Sequence, residues 1–146
     1  MKSLQFTVVV TALSVSACDP IYGIATTATL KSPVNVECID SAIRETAGVG
    51  VVHRGYDEDT SYEIAPTPGN VTTRNSYWTY GDDGSAILQI TQNNRSVEYS
   101  NGRQRMGVKI PPSAIEAYIP LMRRVNAKVE SRCGLRLGNS VTVDRS

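Results

Sequence analysis

Residues 113–133 read SAIEAYIPLMRRVNAKVESRC, and this stretch decides the fold. Ile115, Ile119, Met122, Val125, Val129 and Cys133 recur every three or four residues, which lines up one apolar face of an α-helix. Ser113 and Glu116 have the spacing of a capping box, so the helix is expected to open there. Gly134 is the residue type that closes one. Pro120 falls inside, deletes one backbone donor and predicts a kink. A helix with a single apolar stripe must lay it on another layer, and the residues before it supply one.

Working back from Pro111-Pro112, the chain alternates apolar and polar residues at period two. Met106, Val108 and Ile110 predict one strand, and Arg95–Ser100 another, joined through Asn101-Gly102, a strong hairpin signal. Ala86, Leu88 and Ile90 alternate with Ile87, Gln89 and Thr91. Gly81-Asp82-Asp83-Gly84 predicts a tight turn back to Thr72–Tyr80, with Trp78 and Tyr80 on one face and Tyr77 on the other. Tyr62 and Ile64 predict a short strand, Asp57–Thr60 a polar turn, and Val49–Tyr56 a β-branched strand. Further upstream, Ser32-Pro33 has the cap-then-proline order of a helix start. Val36, Ile39 and Ile43 form its stripe, with Cys38 at the border, and Gly48 ends it. Residues 18–30 are a tether or a first strand (Ile24–Leu30), and Val141–Val143 is a short last strand. The order is helix, four to six strands, long helix. This predicts an α+β fold with two helices packed on one face of a curved antiparallel sheet, as a single domain over residues 31–146.

The N-terminus carries a different kind of signal. Met1-Lys2 is positive, Leu4–Val15 is uncharged and mostly apolar, and Ser16-Ala17 precede Cys18. The apolar run suits a signal peptide and is too short to span a bilayer. Val15-Ser16-Ala17-Cys18 resembles the lipobox of bacterial lipoproteins. The resemblance covers the first eighteen residues. It implies cleavage after residue 17, a diacylglyceryl group on the Cys18 sulfur and usually an acylated amine. Each buried acyl CH₂ contributes about 0.8 kcal/mol, and stable anchoring needs more than one chain. Asp19 is similar to the signal that keeps lipoproteins of enteric bacteria in the inner membrane, so that membrane is favoured over the outer one.

Loss of residues 1–17 removes Lys2 and takes the formal charge from +1 to zero. A neutral domain carries no global signature of nucleic-acid binding, and no nucleic-acid partner is expected. The charge is uneven: acids dominate from Glu37 to Glu63, and bases dominate from Arg95 onward. With Cys18 lipidated, Cys38 and Cys133 remain. In an oxidising periplasm such a pair is expected to form a disulfide, here one clipping the two helices together. The alternatives, a metal pair or a reactive thiol, lack another Cys or a His at ligand spacing.

Few residues point to chemistry. His53 is the sole histidine. It suits a general base in a small envelope hydrolase, with Asp57 or Asp59 as its partner, yet no nucleophile stands at a telling spacing. Asp57, Glu58 and Asp59 lack the glycine and distal glutamate of a calcium loop. Neither a metal nor a cofactor is expected. Arg124, Lys128 and Arg132 recur every four residues on the long helix, where like charges repel, so they are the candidate partner-binding stripe. Tyr56, Tyr62, Tyr77, Trp78, Tyr80 and Tyr99 all fall on predicted strands. Half must face the helices, and the rest would be free to stack on sugars or grip a peptide. The expectation is a non-enzymatic, lipid-anchored envelope protein facing the periplasm and binding an envelope protein or glycan. A soluble inhibitor or immunity protein acting through a loop such as Gly81–Gly84 is the other binding alternative.

Overall fold

The computed structural model describes residues 21–31, 33–106, 109–138 and 141–144. The elements are β1 (Ile21–Leu30), α1 (Val36–Arg44), β2 (His53–Glu63), β3 (Gly69–Tyr80), β4 (Ala86–Gln92), β5 (Val97–Met106), α2 (Pro112–Cys133) and β6 (Val141–Asp144). The six strands form one sheet in the order β2-β3-β4-β5-β1-β6, antiparallel throughout. The four central segments run as a meander. The first strand then inserts between β5 and the last strand, which places β1 and β6 side by side at one side of the sheet.

Period two decides what the sheet buries. Trp78 pairs with Leu88, Leu88 with Asn101, and Asn101 with Thr26, so this row crosses four strands on one face. Trp78, Tyr80, Leu88, Ile90, Tyr99 and Ile24 on that face join Ile39 and Ile43 of α1 and Met122, Val125 and Val129 of α2 in one buried cluster. Each side chain of this size contributes about 1.5–3 kcal/mol when fully buried. The α+β arrangement read from the sequence is thus the one observed. So is the clip between the helices: Cys38 and Cys133 form a disulfide with Cα atoms 5.8 Å apart.

Several local expectations are corrected. Of the two readings of residues 18–30, the first strand is the one observed, and it is longer than expected, running from Ile21 to Leu30 between β5 and β6. Helix α1 begins at Val36, capped by Asn35, whose Oδ1 accepts from the amides of Glu37 (3.0 Å) and Cys38 (3.2 Å). Pro33 precedes it, and Ser32 lies outside the described residues. The capping box at Ser113 does not form. Proline at 112 takes the first helical position, where its missing donor costs nothing, and the Pro111 carbonyl accepts from the amides of Ala114 and Ile115. α2 runs on through Pro120 and ends on Gly134 in the left-handed region.

Asp57–Thr60 is not a turn; it is the middle of one long strand that absorbs both short strands expected there, while residues 49–52 are loop. Asn101-Gly102 is not a hairpin either and lies inside β5. A Cβ on Gly102 would sit 2.5 Å from the Ile24 carbonyl oxygen, so glycine is there to let β1 approach. Of the expected strand at Met106–Ile110, Met106 belongs to β5, Val108 lies outside the described residues, and Ile110 is buried outside any strand. Cys18, Asp19 and the signal segment also lie outside the described residues.

Candidate interaction surface

The cationic stripe on α2 has an internal partner. Arg132 Nη1 lies 2.5 Å and Lys128 Nζ 3.8 Å from Glu45 Oε2, and Arg124 Nε donates to the Ala47 carbonyl at 3.2 Å. Glu45 and Ala47 stand at the C-terminal end of α1, where the helix dipole presents its negative end. Stacking three bases on one face of α2 therefore draws the end of α1 against it. All three side chains keep partial exposure, so their outer surface stays open to solvent.

His53 is exposed at the first position of β2. An extended strand rises about 3.3 Å per residue, so Asp57 stands roughly 13 Å along the chain from it and Asp59 roughly 20 Å. Neither can form the hydrogen-bonded pair that the hydrolase reading needs. Glu58, on the opposite face, accepts from Tyr56 Oη and Arg74 Nε, both at 2.8 Å. These donors hold its carboxyl below the usual range, Tyr56 first. Among the described residues no three acidic, histidine or cysteine side chains gather as a metal site would require.

The sequence gives little sign of a polar network between sheet and α2. Tyr80 Oη donates to Asn101 Oδ1 at 2.5 Å and lies 2.7 Å from Tyr118 Oη. Asn126 Oδ1 accepts from Tyr99 Oη at 2.6 Å and from Asn101 Nδ2 at 2.8 Å, while its Nδ2 donates to Thr26 Oγ1 at 3.0 Å. Burial pushes Tyr80 up to about 12 and also raises Tyr118 and Tyr99 above the ordinary phenol value. All three phenols stay protonated at neutral pH. They fix the angle of α2 on the sheet and are unsuited to acid–base chemistry there. Asn126 could have been found by its position four residues beyond Met122 on the apolar stripe.

The aromatic residues divide as their strands alternate. Trp78, Tyr80 and Tyr99 are buried, and Trp78 Nε1 donates to Asp40 Oδ1 at 2.9 Å. Tyr77 faces the other way and lies across Gly55, the residue opposite it on β2. Tyr56 and Tyr62 share the parity of Trp78 yet are 58% and 67% exposed: both stand on the outermost strand, and Tyr62 lies where β3 has no further described strand beside it. β4 pairs with β3 only over Arg74–Tyr80, so Asp59–Glu63 and Gly69–Thr73 continue as a two-stranded ribbon. Thr60 and Thr72 bridge it at 3.0 Å, and Arg95 braces its end by an ion pair with Glu63 and a 2.8 Å bond to the Thr67 carbonyl.

The ribbon, not the Gly81–Gly84 turn, is the element that projects. That turn is tied down by the Gly81 amide to the Val49 carbonyl (2.8 Å) and by Arg103 to Asp83 (2.8 Å). Ile64, 78% exposed, follows β2 at the ribbon's tip. β2 is also the last strand of the sheet, with no described strand on its far side. Comparison with protein-family models, with curated proteins and with solved structures finds no match to this chain.

Proposed function

We propose that the protein is a lipid-anchored cell-envelope domain that faces the periplasm and acts by binding an envelope protein or glycan, without catalysis. The observation that carries this reading is the ordered signal at the N-terminus: charge, apolar run, small residues, then Cys18. A disulfide between Cys38 and Cys133 supports it, since such bonds persist in oxidising compartments. No helix among the described residues is long and apolar enough to cross a membrane, and acyl chains on Cys18 would supply the attachment. Asp19 favours the inner membrane.

The test is Cys18→Ser. The variant is expected to remain uncleaved or to leave the membrane fraction in detergent-free buffer. Unchanged membrane association, or a wild-type N-terminal peptide without the added acyl mass, would refute the anchoring. The projecting ribbon favours one second reading, an envelope inhibitor or immunity protein that seats the ribbon on its target. Crosslinking in living cells from position 62 separates the two, because the inhibitor reading requires the captured partner to be an enzyme that the purified protein slows.

A further inference from the structure

We infer that the free edge of β2 receives an extended, lysine- or arginine-bearing segment of a partner protein as a seventh strand. This deepens the binding reading above and rests on it.

The first observation is the edge itself. β2 is eleven residues long, longer than a typical strand, and among the described residues only one of its sides is paired with another strand. Backbone amides and carbonyls along the other side have no strand partner among the described residues, the arrangement used in recognition by strand addition. The second observation is charge. Asp57 and Asp59 stand two residues apart on one face of this edge, and neither carboxylate has an ion pair or side-chain hydrogen bond among the described residues. Glu58 and Glu63, by contrast, are engaged by Arg74 and Arg95. Acids on an edge normally guard it against unwanted pairing, and here they exclude one occupant in particular. A second copy of β2 would set Asp57 and Asp59 beside the same residues of its partner, where like charges facing across strands are destabilising. A basic segment meets the same two carboxylates with attraction. The opposite face of the edge offers Tyr56 and Tyr62, which suit apolar residues alternating with the bases. The occupant is therefore a strand with bases on one face and β-branched or aromatic residues on the other.

The test uses the lipidated, disulfide-intact protein in a neutral detergent and three synthetic probes. These are an eight-residue peptide alternating lysine and valine, its glutamate-for-lysine counterpart, and the lysine peptide with alternate amides N-methylated. Hydrogen exchange of residues 53–63 is read by mass spectrometry. The lysine peptide is expected to slow exchange there, the other two to have no effect, and Asp57→Asn with Asp59→Asn to weaken binding about tenfold. Protection elsewhere, equal binding of the glutamate or methylated peptide, or a β2-protected dimer without peptide would each overturn the inference. Because fractionation of Cys18→Ser tests anchoring separately, a protein that is anchored but blind to the peptide refutes the edge alone.

Discussion

Replacing Gly102 with alanine asks whether β1 and β5 are held as closely as their register implies. Gly102 faces Ala25 on one side and Ile87 on the other. Its backbone is not among those with positive φ, so alanine is conformationally acceptable there, and its smaller unfolded-state entropy would by itself stabilise by about 0.4–1 kcal/mol. Space reverses the sign. The added Cβ would lie 2.5 Å from the Ile24 carbonyl oxygen, 2.6 Å from the Ala25 Cβ and 2.9 Å from the Ala25 Cα. Two of these atoms are backbone, so no rotamer change relieves the contact. β1 must instead withdraw from a ladder that pairs it with β5 from end to end. Overpacking of this kind costs about 1–3 kcal/mol, leaving a net loss of roughly 1–2 kcal/mol. At about 2.1 cal/mol/K of unfolding entropy per residue, that lowers Tm by about 4–8 °C. Calorimetry of the disulfide-intact protein measures it, and faster hydrogen exchange in β1 locates it. Adding Ala25→Gly removes one of the three contacts and should recover only part of the loss. An unchanged or raised Tm would refute the close approach.

Replacing Cys38 and Cys133 by serine frees a closure of 95 residues and should cost about 4–5 kcal/mol by chain entropy, read from urea midpoints; a loss under about 1 kcal/mol would contradict it. Tyr80 carries a folded value of about 12 against about 10 unfolded, so its contribution is complete below pH 10 and disappears as pH rises from 10 through 12, by about 3 kcal/mol at most. Urea midpoints between pH 8 and 12 measure this, and Tyr80→Phe should remove its share of the fall, leaving the part that the raised Tyr99 and Tyr118 contribute. Asp40→Ala strands the buried Trp78 N–H and should cost about 1–3 kcal/mol with a shift in tryptophan emission, whereas Asp40→Asn, which keeps an acceptor, should lose less. Arg44 chiefly holds the Asp40 carboxyl below its usual range, so its contribution is present above the unfolded value and is lost as pH falls through the lowered one. Glu45→Ala frees Lys128 and Arg132 from a partly exposed contact and should cost under about 1 kcal/mol.

What the sequence made legible is what a half-buried element must display. Ala86, Leu88 and Ile90 are buried and Ile87 is exposed, because β4 has helices on one face only. Met122, Val125 and Val129 are buried for the same reason at helical period. Legibility fails where burial or chain neighbours stop setting the pattern. Residues 57–60 lie where both faces of β2 are exposed, so four polar residues imitate a turn. Asn101-Gly102 has the local chemistry of a hairpin, but its role comes from distant residues: Tyr80, Tyr118 and Asn126 occupy the amide, and β1 needs the missing side chain. Arg124, Lys128 and Arg132 look unpartnered until α1 is docked, since Glu45 and Ala47 lie far upstream in the chain.

Ile21 is level with Met106, and nine residues on, Leu30 is level with Val97, Gln92 and Arg74. The ribbon continues in that direction from Thr73 to Gly69, which places its tip roughly 45 Å along the strands from the start of β1. Cys18 is only three peptide steps from Ile21, a reach of about 11 Å whatever path the chain takes. Acyl chains on Cys18 would therefore hold the β1 end near the headgroups and leave the ribbon far from them. The charge agrees with that orientation: Asp57 and Asp59 would be repelled by an anionic leaflet and gain from distance. Attachment through β1 would also load an interior strand, paired along its whole length with β5 and in part with β6, so that such an anchor could not be pulled without shearing the sheet. An attachment that short and that firmly built in would restrict how the domain can turn. It favours a partner reached by the far end of the sheet, and lengthening the segment between Cys18 and Ile21 with glycine and serine should weaken in-cell crosslinking from position 62 while membrane fractionation stays the same.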